Sequence, residues 1–164
     1  MVKTKIYLDT NIISCLDAPE TPERMIYTQR FWESIKRGKY SVHLSRATID
    51  EIHRCPEPKH SFMLVALAGI EFALCDVDND VAEELAVLYV AKGGLPPRAK
   101  VDAIHIANAT LAKCEIIASW NFRHVTNIRA IKAVETVNAE QGLGRLEIYS
   151  PQSLIEFSED IESE

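Results

Sequence analysis

Five short apolar runs punctuate the chain: Ile6-Tyr7-Leu8, Ser41–Leu44, Phe72–Val77, Ile116–Ser119 and Leu146–Tyr149. They read as continuous apolar stretches instead of an in/out alternation, the pattern of strands covered on both faces. Helical spacing fills the intervals. Thr21-Pro22-Glu23 supplies the N-cap, N1 and N2 of a helix on which Met25, Trp32 and Ile35 share a face and which Lys36-Arg37-Gly38 closes. Ser45 is placed to cap a second helix, carrying Asp50-Glu51-Ile52. Phe62–Ala68 is almost wholly apolar, ends at Gly69 and is expected to be buried. Asp80-Val81-Ala82-Glu83 fits a capping box for a helix that Gly93-Gly94 stops. A long helix from about Pro97 to Lys113 contains Asp102, and Ile128, Ile131, Val134 and Val137 recur at helical spacing before Gly142. Strands alternating with helices predict an α/β fold around a parallel sheet. With no repeat, low-complexity block or linker, residues 1–155 read as one domain and 156–164 as an acidic tail expected to fray.

Composition narrows the function classes. A chain of 164 residues has room for one well-cored domain. Of its 24 acids five lie in the last nine residues, and without them the balance is 19 acids to 18 bases. Nothing here resembles a basic coat, so any nucleic-acid contact must be local or metal-mediated. Cys15, Cys55, Cys75 and Cys114 are widely spread and show neither zinc-ribbon nor disulfide-scaffold spacing. Reduced thiols and a cytoplasmic setting are expected. Lys3, Lys5 and Asp9 interrupt any leader-like apolar segment, and Phe62 to Ile70 is far short of the roughly 20 residues needed to cross a bilayer.

Three acids stand among apolar neighbours. Asp9 ends the first strand, Glu51 lies two turns into the helix after the second, and Asp102 opens the stretch "VDAIHIANATLA". A buried carboxylate is costly unless paired, hydrogen-bonded or metal-bound, and no trio of Lys or Arg residues sits beside these. One shared divalent cation would serve all three, and oxygen ligands without Cys or His favour Mg²⁺ or Mn²⁺. In parallel sheets ligands also bind beyond the carboxyl ends of strands, where Asp9 sits and which Asn121 follows. Each acid has a simpler explanation. Asp9 could be an N-cap, Asp102 a first-turn complement to the helix dipole, and Asp50 competes with Glu51, since adjacent helical residues point about 100° apart. His105, three residues after Asp102, has a spacing that suits zinc or a supporting role. Arg123 and His124 could touch a phosphate or lie on a helix-entry surface; Arg46 is similarly open. His43, His53 and His60 form no cluster. Asp76-Val77-Asp78-Asn79-Asp80 lacks the Gly and Glu of a calcium loop and reads as a turn, and Gly142-Leu143-Gly144 lacks the setting of a dinucleotide fingerprint.

The ordered set "YLDTNIIS", "SRATIDEI", "VDAIHIANA" and "IIASWNFRH" resembles the PIN-domain ribonucleases, the fold of VapC-type toxins, over nearly the whole chain. The resemblance implies a three-layer α/β/α sandwich around a parallel sheet of about five strands, and Mg²⁺- or Mn²⁺-dependent endoribonuclease activity. By that pattern Asp9, Glu51 and Asp102 are the first three acids, Glu51 is preferred to Asp50, and Thr10 and Asn11 shape the pocket. Asn121 stands where many members carry a fourth acid, so a second ion would be held more weakly. The resemblance also implies an RNA substrate, a homodimer, and an antitoxin whose basic residue enters the acidic pocket. Without metal the carboxylates are expected to repel. Two other readings remain: a catalytically silent PIN-like module that binds RNA or protein, and a receiver-like domain phosphorylated at Asp9, which lacks the late-strand Lys.

Overall fold

The computed structural model describes residues 2–121 and 128–163. Arg123 and His124 lie outside them. Five parallel strands form one sheet: β1 (Thr4–Leu8), β2 (Tyr40–Leu44), β3 (Ala73–Leu74), β4 (Ile116–Ala118) and β5 (Glu147–Tyr149), in the order β3-β2-β1-β4-β5. Ile6 is in register with Val42 on one side and with Ile116 on the other. The helices are α1 (Thr10–Ser14), α2 (Pro22–Lys36), α3 (Arg46–Arg54), α4 (Lys59–Ala68), α5 (Asn79–Ala91), α6 (Lys100–Leu111), α7 (Ile128–Glu140) and α8 (Pro151–Ser163).

The central strand explains the layering. Successive side chains of β1 point to opposite faces. Tyr7 joins a core with Leu85, Ile106 and Val134 from α5, α6 and α7. Ile6 and Leu8 join the other, with Ile12, Phe31, Met63 and Leu154 from α1, α2, α4 and α8, to which α3 adds Ile52. All three β1 residues are fully buried, so the strand must be apolar on both faces. The result is the expected α/β/α sandwich on a parallel sheet.

Several local expectations change. Within Phe72–Val77 only Ala73 and Leu74 pair, at the sheet edge and exposed, because the chain there turns toward α5. That helix is capped by Asp78, whose carboxylate accepts from Asp80 N at 2.8 Å, and not by a box opening at Asp80. The apolar run in α4 is only half used: Met63 and Leu67 are buried against the sheet, whereas Val65 is 73% exposed. The run is wider than the stripe one layer can cover. The helix of Asp102 begins only at Lys100, after a 3₁₀ turn at Pro97–Ala99 imposed by the prolines. The acidic stretch continues α8, which buries Leu154 and Ile155 and is tied to α2 by an Arg30–Glu159 ion pair. No helix among the described residues is long and apolar enough to cross a membrane.

Candidate metal centre

From β1 the chain steps outward through β2 to β3, and later from β4 to β5 on the other side. The order therefore reverses between β1 and β4, and the crevice beyond their carboxyl ends is where such sheets bind ligands. Asp9 enters it directly, with its N–H donated to Ala118 O at 3.0 Å. Asp9 is the N-cap residue of α1, yet its side chain makes no capping bond, which removes the simpler explanation for it. Instead Oδ2 accepts from Ser119 Oγ at 2.8 Å and from Asn11 Nδ2 at 3.2 Å, and the residue is 4% exposed. Asn11 Oδ1 in turn accepts from Trp120 N at 2.9 Å, and Ser119 Oγ accepts from Asn121 N at 3.1 Å. The α1 turn and the segment after β4 thus hold one another and fix Asp9.

The second acid comes from α3. Asp50 points outward, where Arg46 lies 3.6 Å away, and Glu51 turns inward, as their angular offset requires. Glu51 Oε1 meets Nε2 of His105 at 2.6 Å. His105 sits on α6, 1% exposed, with the same Nε2 3.7 Å from Asp9 Oδ1. On its far side Nδ1 lies 2.6 Å from the Tyr7 hydroxyl. Asp9, Glu51 and His105 each present a ligand atom, all within 4.8 Å of one another, and no other group of three or more His, Cys, Asp or Glu does so among the described residues.

The electrostatics follow from that wedge. Burial pulls the His105 pKa down, but the charge of Asp9, the hydrogen bond and charge of Glu51 and the charge of Asp102 together raise it. Burial pushes Glu51 up, yet the bond and charge of His105 prevail and its pKa falls. The expected bare repulsion between carboxylates is therefore replaced by an imidazole lying between them. Tyr7 is held neutral, because burial drives its phenol far above the usual range.

The sequence-predicted residues divide accordingly. Asp9 and Glu51 converge. Asp102 lies one turn from His105, close enough to act on its charge, but its Oδ1 accepts from Asn121 Nδ2 at 2.7 Å and it stands outside the tight trio. His105 occupies the third corner. Asn11 braces Asp9, and Thr10 Oγ1 is buried near Glu51 without a hydrogen-bond partner at bonding distance among the described residues. Tyr7 and Ser119 escape the sequence reading, and Ser45 enters it only as a helix cap, whereas its hydroxyl makes no capping bond and lies 2.6 Å from that of Tyr7. The one available signal was Tyr7 itself, since a phenol inside a buried strand needs a partner for its O–H. Two carboxylates and one imidazole form a donor set able to coordinate a divalent metal. The nitrogen shifts the preference toward Mn²⁺ or zinc and away from Mg²⁺, which takes oxygen.

No family model and no curated protein matches the sequence. Among solved structures, a chain in the crystal structure of VapBC2 from Rickettsia felis bound to a DNA fragment from their promoter is similar at a TM-score of 0.56 and 12% identity. The match covers 90% of this chain and 98% of that one. The fold is PIN-like. At this identity the likeness speaks for architecture, and the chemistry has to be argued from the crevice.

Proposed function

We propose that the chain is a divalent-metal-dependent endoribonuclease of the PIN type, with Asp9, Glu51 and His105 holding the ion and Asp102 and Asn121 lining its approach. The observation that carries this reading is the convergence of three ligand atoms within 4.8 Å at the sheet's switch point. A bound divalent ion supplies a water of lowered pKa and stabilises charge on phosphodiester oxygens. The residues do the placing. Ser119 and Asn11 hold Asp9 Oδ2 and leave Oδ1 toward His105; α3 carries Glu51 in from the opposite wall. Without a basic stripe or an aromatic RNA-binding motif, the RNA strand would be gripped through its phosphates and the ion, in single-stranded or loop segments.

The reading carries with it a cytoplasmic toxin that pairs as a homodimer and is silenced by an antitoxin's basic residue entering the acidic crevice. The test is cleavage of single-stranded RNA with Mn²⁺. Wild type is expected to cut, EDTA to stop it, and Asp9→Asn and Glu51→Gln to reduce it to background. Equal cleavage by the variants would assign the activity to a contaminant.

A second reading, a silent PIN-like module that binds RNA or protein, is favoured by two observations. Nε2 of His105 already satisfies Glu51 at 2.6 Å, and Asn121 spends its amide on Asp102. That version predicts RNA or partner binding with no divalent-dependent cleavage.

A further inference from the structure

We infer that Tyr7 is a positioning residue for the metal centre: its hydroxyl holds His105 with the ring hydrogen on Nδ1, aiming Nε2 at the space shared with Asp9 and Glu51. The inference rests on the metal-centre reading above. Tyr7 is fully buried on β1 and faces away from Ile6 and Leu8, directly beneath His105. Its hydroxyl lies 2.6 Å from His105 Nδ1, 2.6 Å from Ser45 Oγ and 3.4 Å from Thr48 Oγ1. The two rings pack at 5.7 Å between centroids, tilted by 56°, so neither can rotate without losing contact.

Valence decides the arrangement. A phenol has one hydrogen to donate and accepts through its oxygen, and a neutral imidazole has one N–H and one lone pair. His105 can offer a cation only Nε2, since Nδ1 faces Tyr7. As the site stands Nε2 lies 2.6 Å from Glu51 Oε1 and donates to it; a cation taking the Nε2 lone pair would displace that hydrogen and leave the neutral ring's one hydrogen on Nδ1, donated to the Tyr7 oxygen. The phenol O–H is then donated to Ser45 Oγ. Ser45 gives independent support, because it occupies the N-cap of α3 and its side chain makes no capping bond. Its hydroxyl is committed to Tyr7 instead of to the helix. Partners that orient a ligating His in this way are worth about 10- to 100-fold in metal affinity.

The experiment is titration calorimetry with Zn²⁺ on the full chain, beside ¹⁵N NMR of the Zn²⁺-loaded His105 ring. Tyr7→Phe keeps the ring and removes the hydroxyl. It is expected to weaken Zn²⁺ binding by roughly 10- to 100-fold and, with the acceptor gone, to shift the Nδ1–H proton signal and speed its exchange with water. Ser45→Ala, which does not touch His105, is expected to weaken binding by a smaller factor and carries the test should Tyr7→Phe fail to fold. Unchanged affinity and an unchanged Nδ1 signal in these variants overturn the inference, even where melting temperatures fall, because a merely structural role lowers stability alone. A wild-type protein that binds neither Zn²⁺ nor Mn²⁺ overturns the metal-centre reading itself, and that outcome is distinct.

Discussion

At the scale of single residues, the crevice is a set of polar groups that satisfy one another before any ion is added. Ser119 is the clearest case: one hydroxyl donates to the buried Asp9 carboxylate and accepts from Asn121 N. Ser119→Ala removes a hydrogen bond to a charged acceptor, and we expect a loss of about 1.5–3 kcal/mol in urea unfolding. The His105–Glu51 pair gives a pH signature in metal-free protein. His105 is raised above its ordinary 6.5, so its contribution is complete below 6.5 and is lost as pH climbs through its folded value. Glu51 is lowered below its ordinary 4.5, so its contribution is present above 4.5 and lost as pH falls through its folded value. Unfolding in EDTA should therefore show the largest stability difference between wild type and His105→Gln between about 4.5 and 6.5, shrinking on either side. A flat difference would mean that the pair is not ionic. Asp9 and Glu51 were legible from sequence because a carboxylate among apolar neighbours is an anomaly that needs a cause. The third corner was less so: Asp102 and His105 share a face of one helix, and only the approach of α3 decides which of them Glu51 meets.

Among the elements, close packing fixes what the strands present. Gly94, just past α5, is pressed against α7: a Cβ there would stand 2.4 Å from Ala133 Cβ and 2.5 Å from Arg129 O. The second contact is backbone and cannot swing aside. Gly94→Ala is expected to destabilise by about 1–3 kcal/mol, read from thermal or urea unfolding, with Gly144→Ala, where a Cβ meets nothing within 4 Å, as a control. Gly93 has a different reason, a φ of +87° that ends the helix, and meets nothing within 4 Å. The chain's punctuation announced α2, α5 and α7, because Pro, Gly and helical spacing act locally. It misplaced α4's burial and the extent of β3, because an apolar run records what could be buried. How much the neighbouring layer covers is a property of the layer. The cap of α5 was off by two residues for a related reason: Asp78 and Asp80 both fit locally, and the direction from which the chain leaves β3 selects the former.

For the whole molecule, the reversal of strand order between β1 and β4 places a crevice beyond the carboxyl ends of those two inner strands. Residues 9, 51, 105 and 119, distant in sequence, meet there because three helix entries open onto it. Alternation of strands with helices made the α/β class readable, but strand order is not written in local pattern and stayed open until the structure gave it. If the crevice holds an ion only when folded, Mn²⁺ stabilises by mass action, about 2.7 kcal/mol at a concentration 100 times the dissociation constant. Differential scanning fluorimetry should show the melting temperature rising with Mn²⁺ in wild type and staying flat in Asp9→Asn. The most direct test of the metal centre is an anomalous difference map from Mn²⁺-soaked crystals. The account predicts one peak bounded by the carboxylates of Asp9 and Glu51 and by Nε2 of His105; a map with no peak there, or a peak elsewhere with His105 still bonded to Glu51, would contradict it.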